Sequence, residues 1–442
     1  FFYLRIMNSY LIFTIHSNRL AVLQDSITIE LARILNLELQ PDSRKVLTAG
    51  GTGVSEAYDY YLKGKGFLSN FDRIESIDTS ITLFRSAIKE DKNYALAYAA
   101  LGEAFWRKYR KNSDSRLIDS AKIYCNLALE LNNQISQIHL TLGLINHGTG
   151  NYETALNDYK NALEFDPTNS EVYREMAKNY ESLGELKAAE TTYLKAIKLM
   201  PKYWANYNYL SVFYYKQGNY IDAIIQVKHV LNLRPDYING YSNLGAFYFA
   251  INNWEEAQKT FEKSLSIKKT SLALNNLGVL NFYKGNFEKA AEMYNEALKL
   301  DEDDYQIWGH LAECYSNLDD QKNKSIPLYK KAIELAGLSL NDNPNDASLL
   351  SDLSNYYARL DDKQKAFSFL KRAEQQREID PDIMFTIAGT YELLNERSSA
   401  IKWLNKSLEN KYSFLIIEHS PVFKDLIQDK KFKTISEKFR KE

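Results

Sequence analysis

Two cysteines, Cys125 and Cys314, are all that 442 residues carry, so no disulfide framework is available and both read as buried free thiols. The chain therefore bears no mark of an oxidising compartment. An excess of one charge is also missing. Against 55 Lys and Arg stand 57 Asp and Glu, a net charge of −2, which argues against a general nucleic-acid or membrane-surface binder. No stretch approaches the ~20 consecutive apolar residues of a membrane span. The six histidines form no H-E-x-x-H and no Cys/His cluster with zinc spacing. The glycine-rich segment AGGTGVS (49–55) lacks the Lys-Ser/Thr that a phosphate cradle needs, and reads as a flexible turn before a helix. No catalytic residue, cofactor site or metal site is assigned, and the function class that remains is binding rather than catalysis.

Proline is scarce too, with eight in the chain, yet three of them keep a common interval. Pro167, Pro201 and Pro235 stand 34 residues apart; Tyr173, Tyr207 and Tyr241 repeat at the same spacing, as do Ala155, Ala189, Ala223 and Ala257. A fixed period of that length, with two helix-sized apolar patterns per unit, marks a helical solenoid. Small residues such as Gly143, Ala177, Gly245 and Gly278 in the first helix, facing Ala155, Ala189 and Ala257 in the second, let two backbones approach closely. Large rings at Tyr173, Tyr180 and Tyr193 fill the volume beside that crossing, and the later alanines Ala162 and Ala196 pack on the next unit. Proline closes the second helix because it lacks an N–H and clashes with the preceding turn. Most of the 32 tyrosines follow from this plan and read first as core.

The pattern inside each unit resembles the tetratricopeptide repeat, W-x2-L-G-x2-Y, then A-x3-F, then A, then P. Its first half appears in YSNLGAFY (241–248) and LNNLGVLN (274–281), and its second half in ALNDYKNALEFDP (155–167). Ala189, Tyr193, Ala196 and Pro201 copy that spacing; Ala290, Tyr294 and Ala297 keep it with Glu302 where the proline would be. The expected fold class is all-α, a right-handed α-solenoid superhelix of about ten helix pairs with a C-terminal capping helix. Units open near Ser55, Ala95, Ser136, Ser170, Trp204, Ile238, Ser271, Tyr305, Ala347 and Pro381. The second helix of the eighth overruns, since YKKAIELAGLSL (329–340) shows no stop signal. The expected partition is 1–47 as the remnant of an upstream domain with a linker helix, 48–410 as repeats, and 411–442 as the cap.

Within 1–47, HSNRLAVLQDSITIELARILNLEL (16–39) reads as an amphipathic helix and YLIFTI (10–15) as a strand. The opening residues lack an initiating Met and a signal-peptide pattern, so residue 1 reads as a cut within a longer protein. LQDSITIELARILNLEL leading into AYDYYLKGKGFL resembles the junction in bacterial proteins that join a TolB-like domain to tetratricopeptide repeats. The closing LENKYSFLIIEHSPVFKDLIQDKKFKTI is similar to the tail of that group. The resemblance implies the sensory or scaffolding part of a bacterial signalling protein whose upstream module is a Ser/Thr kinase, a nucleotide cyclase or a winged-helix regulator. Cytoplasmic placement fits, as does an extracytoplasmic one if a membrane span lies upstream.

In tetratricopeptide folds the first helices line a concave groove. By that resemblance the groove residues of units five to seven are Asn208, Tyr209, Tyr215, Asn239, Asn243, Phe249, Asn275, Asn276, Phe282 and Tyr283. Asn243 and Asn276 precede Leu-Gly pairs, where an amide can donate to and accept from the backbone of an extended peptide. Tyr215, Phe249, Phe282 and Tyr283 are expected as exposed apolar anchors. Unit four, with Glu171, Arg174, Glu175, Lys178 and Glu181, is expected to be a charged rim. The chaperone-type carboxylate clamp is excluded because its cations are missing. The expected partner is a protein or peptide, with no nucleic acid; self-association into a homo-oligomer is the alternative.

Overall fold

Apolar side chains recurring every three to four residues, with an alanine or glycine at each crossing, dictate paired amphipathic helices. The computed structural model, which describes residues 2–6, 9–13, 51–69, 73–112, 114–376 and 379–439, shows this along most of the chain. Ten antiparallel pairs follow one another: α1 (Ser55–Leu68) with α2 (Ile74–Glu90), α3 (Ala95–Asn112) with α4 (Arg116–Leu131), α5 (Ser136–Gly148) with α6 (Tyr152–Phe165), α7 (Ser170–Ser182) with α8 (Leu186–Leu199), and α9 (Trp204–Lys216) with α10 (Tyr220–Leu233). Then come α11 (Ile238–Ala250) with α12 (Trp254–Ile267), α13 (Ser271–Tyr283) with α14 (Phe287–Leu298), α15 (Tyr305–Ser316) with α16 (Ser325–Asp342), α17 (Ala347–Arg359) with α18 (Lys363–Glu374), and α19 (Pro381–Leu393) with α20 (Arg397–Glu409). The long α16 is the overrun that its sequence lacks a stop to prevent. Two short helices close the chain, α21 (Phe414–His419) and α22 (Lys430–Ser436). Near the start, β1 (Phe2–Ile6) pairs antiparallel with β2 (Ser9–Phe13). The strand expected over 10–15 thus belongs to a hairpin as far as Phe13, while the helix expected over 16–39 lies outside the described residues.

Close approach sets the pair geometry. A Cβ added at Gly143 would lie 2.5 Å from the Tyr159 ring, and one at Gly278 would lie 2.6 Å from the Tyr294 ring. The ring of the second helix therefore occupies the space that a side chain on the first would take. In four pairs the chain passes once through the left-handed region between the helices, at Gly150, Gly184, Gly218 and Gly285 with φ of 79°, 76°, 68° and 78°. Asn252, Asp361 and Asn395 take that place in other pairs, as residues whose short polar side chains tolerate it.

The ring-and-proline beat has a cause different from the expected one. Tyr173, Tyr207 and Tyr241 donate their hydroxyls to the carbonyls of Pro167, Pro201 and Pro235 at 3.2, 3.0 and 3.1 Å. They tie each first helix to the turn before it rather than filling the crossing. His139 Nε2 and Trp308 Nε1 repeat the contact, at 2.9 Å each, on the carbonyls of Asn133 and Glu302. The carbonyl is what the contact uses, which is why Glu302 can replace the proline.

The chain forms two compact units, Phe1–Met200 and Pro201–Glu442. The first holds α1 to α8 around buried Phe84, Leu101, Cys125, Ile138 and Tyr159. The second holds the remaining helices, and its end is sealed by the cap: Phe414, Ile417, Phe423, Leu426 and Phe432 are buried against Leu350, Ile387 and Trp403. Each such side chain contributes about 1.5–3 kcal/mol by leaving water. Among the described residues, no helix is long and apolar enough to cross a membrane.

Candidate binding surface of the second unit

All ten expected groove residues lie on α9, α11 and α13. The amides meet between adjacent register positions, the fifth residue of one first helix reaching the sixth of the next. Asn243 Nδ2 donates to Asn208 Oδ1 at 3.4 Å, one repeat apart, and Asn275 Oδ1 bonds His310 Nδ1 at 3.0 Å, one repeat further on. Tyr209 and Asn276 are half-buried beside this strip, and Asn239 is exposed.

The rings are not the open anchors expected. Phe282 is buried, at 7% exposure, with its edge toward Phe287 at 5.3 Å. Tyr215 stacks on Phe247 at 4.9 Å, and Phe249 meets Tyr283 edge-on at 5.4 Å. These rings sit in the last turn of each first helix, where the neighbouring repeat leans over them. Burial pushes the phenols of Tyr215 and Tyr283 well above their ordinary range.

The C-terminal segment adds to the cover. Tyr220 donates its hydroxyl to the Lys411 carbonyl at 2.8 Å, and Trp254 meets the His419 ring at 4.6 Å. Burial, with the electrostatic influence of Tyr283, Asp382, Tyr215 and Tyr220, drives the Tyr412 phenol far up. The second unit thus folds back on itself, and its own tail rests where a ligand was expected to find bare rings.

The same helix register continues beyond unit seven, where sequence reasoning stopped. The position of Asn243 and Asn276 is taken by His310 in α15, Asp352 in α17 and Thr386 in α19. Glu313 and Arg359 stand further along the same face, joined at 2.6 Å. These residues line a cavity of about 190 Å3 that Ser420 and Val422 of the cap help to enclose. Burial keeps the His310 imidazole below its ordinary pKa, and raises the Asp352 carboxyl to about 6 despite bonds from Gln306 and Tyr305. Counting the groove register forward by one, two and three repeats from Asn276 gives His310, Asp352 and Thr386.

The charged residues of unit four belong to the first unit, and apart from exposed Glu171 they are buried or half-buried rather than an open rim. Arg174 and Glu175 are 5% and 8% exposed, and Lys178 pairs with Glu175 at 3.0 Å. Glu181 accepts from the Tyr193 hydroxyl at 2.5 Å. Nearby, Glu103 is buried between Arg107 at 2.6 Å and Lys65 at 3.3 Å. Among the described residues, no three His, Cys, Asp or Glu side chains are grouped to hold a metal ion.

Tetratricopeptide repeat models match residues 170–203, 236–303 and 275–334, and a TPR repeat model matches 143–184. Over these residues the repeated unit is the tetratricopeptide repeat. A curated relative, BBSome complex member BBS4 of Bos taurus, is 33% identical over 119 residues, a match covering 26% of this chain and 20% of the relative's length. Among solved structures, TTC0263, a thermophilic TPR protein of Thermus thermophilus, is similar at 23% identity and a TM-score of 0.35, over 40% of this chain and 98% of that one. A tetratricopeptide repeat protein of Parabacteroides merdae is similar at 18% identity and a TM-score of 0.43, over 59% and 98%.

Proposed function

We propose that this chain is a non-catalytic interaction scaffold that receives an extended, mostly uncharged segment of a partner protein along α9, α11 and α13. Proteins built from tetratricopeptide repeats act as protein–protein interaction scaffolds. The observation that carries the reading is the amide strip. Asn208 and Asn243 are half-buried, and their mutual bond of 3.4 Å is long enough to exchange for a peptide backbone. Asn239, Asn276 and Asn275 extend the strip, Tyr209 flanks it, and the rings of Tyr215, Phe249, Phe282 and Tyr283 form its floor. The strip is poor in charge, so docking there strips water from few ions.

The test is selection from a displayed peptide library on the wild type, followed by titration of the selected peptides against the double variant Asn243→Ala, Asn276→Ala. Each lost amide bond is expected to cost about 0.5–1.5 kcal/mol with little salt dependence. Unchanged affinity in the double variant, or affinity abolished by salt alone, would move the partner elsewhere. In the wider frame of this proposal, residues 48–410 are the scaffold of a bacterial signalling protein, 411–442 its cap, and 1–47 a TolB-like segment.

A further inference from the structure

The cavity beneath the C-terminal cap shares only the rings of Phe282 and Tyr283 with the peptide strip. It is bounded by α13, α15, α17 and α19, with Tyr294 of α14, Tyr329 of α16, and Ser420 and Val422 of the cap. Its volume of about 190 Å3 far exceeds the ~10–15 Å3 that one water needs.

Its polar groups leave one another unanswered. Arg359 is the single cation of the lining, and its Nη2 is committed to Glu313 Oε1 at 2.6 Å. Asp352 has no cationic partner among the described residues. Tyr305 Oη and Gln306 Nε2 reach it at 3.1 and 3.3 Å, and both end on Oδ2, so among the described residues Oδ1 has no protein donor. Arg359 Nε is buried without an acceptor. His310 supplies no charge, because its burial favours the neutral ring. Around these groups stand the rings of Phe282, Tyr283, Tyr356 and Phe385, a wall on which an organic cation gains from the ring quadrupoles.

Asp352 and Arg359 are seven residues apart on α17, about 10 Å along the helix axis. A ligand answering both must therefore carry a donor cation and an acceptor several bonds apart. We propose that the cavity binds a small organic ammonium compound that also carries a hydrogen-bond acceptor, with its ammonium on Asp352 and its acceptor toward Arg359 Nε. An unpaired carboxylate and an unpaired guanidinium N–H, each costly to bury alone, become partners of one molecule. The cap residues Ser420 and Val422 close over it, so occupancy and cap seating are coupled.

The full chain, titrated calorimetrically with n-butylamine, butyrate and 4-aminobutyrate, tests this. The expected order is 4-aminobutyrate tightest, butylamine weaker and butyrate without binding. Asp352→Asn, with folding checked by circular dichroism, should weaken both amines by about tenfold or more. On the wild type, amine affinity should rise as pH rises through about 6, where the Asp352 carboxyl ionises. The groups facing that carboxyl are Tyr305, Gln306, Asp346 and Tyr356, with His310 on the neighbouring helix; protonating His310 would oppose the amine in the same direction. Butyrate binding as well as the amines, no amine binding at all, or equal affinity in Asp352→Asn would each overturn the proposal. Asn243→Ala should leave these affinities unchanged, which separates this site from the peptide strip.

Discussion

Replacing glycine by alanine at two helix positions should have opposite effects, because one position is filled by a ring and the other is open. In α11, a Cβ at Gly245 would run into Cε1 and Cδ1 of Phe261, a ring only 3% exposed. In α16, a Cβ at Gly337 meets nothing within 4 Å. Alanine gains about 1 kcal/mol over glycine in a helix interior wherever it fits. Overpacking a filled crossing costs ~1–3 kcal/mol. Gly337→Ala should therefore stabilise its repeat by about 1 kcal/mol, and Gly245→Ala should leave its own unchanged or destabilised by up to ~2 kcal/mol. A solenoid's stability is a sum of local terms, so the assay is hydrogen exchange read separately on α11–α12 and α15–α16. Adding Phe261→Leu to Gly245→Ala should recover part of the loss, giving a non-additive pair. If Gly245→Ala slows exchange as much as Gly337→Ala does, the ring is not what holds that glycine in place.

Ala189→Leu, at a fully buried crossing, should destabilise α7–α8 by ~1–3 kcal/mol, seen as a lower thermal transition. Glu103 gives the first unit an acid-sensitive element. Burial pushes its carboxyl up, but Lys65 and Arg107 outweigh that and hold it below its ordinary 4.5. Its contribution is thus complete above about 4.5 and lost as pH falls below that value. Glu103→Gln should lower stability at neutral pH and flatten the acid limb, as pH-dependent unfolding monitored in that unit would show. Burial pushes the Cys125 thiol up to about 12, and Cys314 is raised as well. Both should resist a disulfide reagent until the chain unfolds; rapid labelling of either in the native protein would contradict their packing.

Periodicity made the helix pairs readable because each packing position repeats at the distance of its cause. Ala189 lies where it does because one ring and one backbone need it, and Pro201 marks the next turn. The role of Tyr207 was harder to read, since a ring at fixed spacing looks the same whether it fills a crossing or bonds a carbonyl. The left-handed residue between paired helices was legible in Gly150, Gly184 and Gly218, but Asn252 and Asp361 break the letter while keeping the geometry. The floor of the binding strip was misjudged for a different reason. Residues 411–419 return to the turn after α9 and the start of α12, and no local pattern in Tyr412 or His419 announces a partner so distant in sequence. Asp352 and Arg359 were hidden only because they change letter within a register already established.

The hydrogen bond from Tyr220 to Lys411 joins residues 191 apart in a fold whose other contacts are mostly between neighbouring repeats. Ordinary solenoids fray from their ends, each repeat opening nearly independently of those beyond the next. In the second unit the two ends hold each other, so opening either requires releasing both. The closing contact forms only after the intervening repeats are in place, since their rigidity delivers the tail to α10 without a long flexible loop to tame. Folding of this unit should therefore end in one late, slow step that depends on the whole arc, and removing the tail would turn a single cooperative body back into a row of semi-independent repeats.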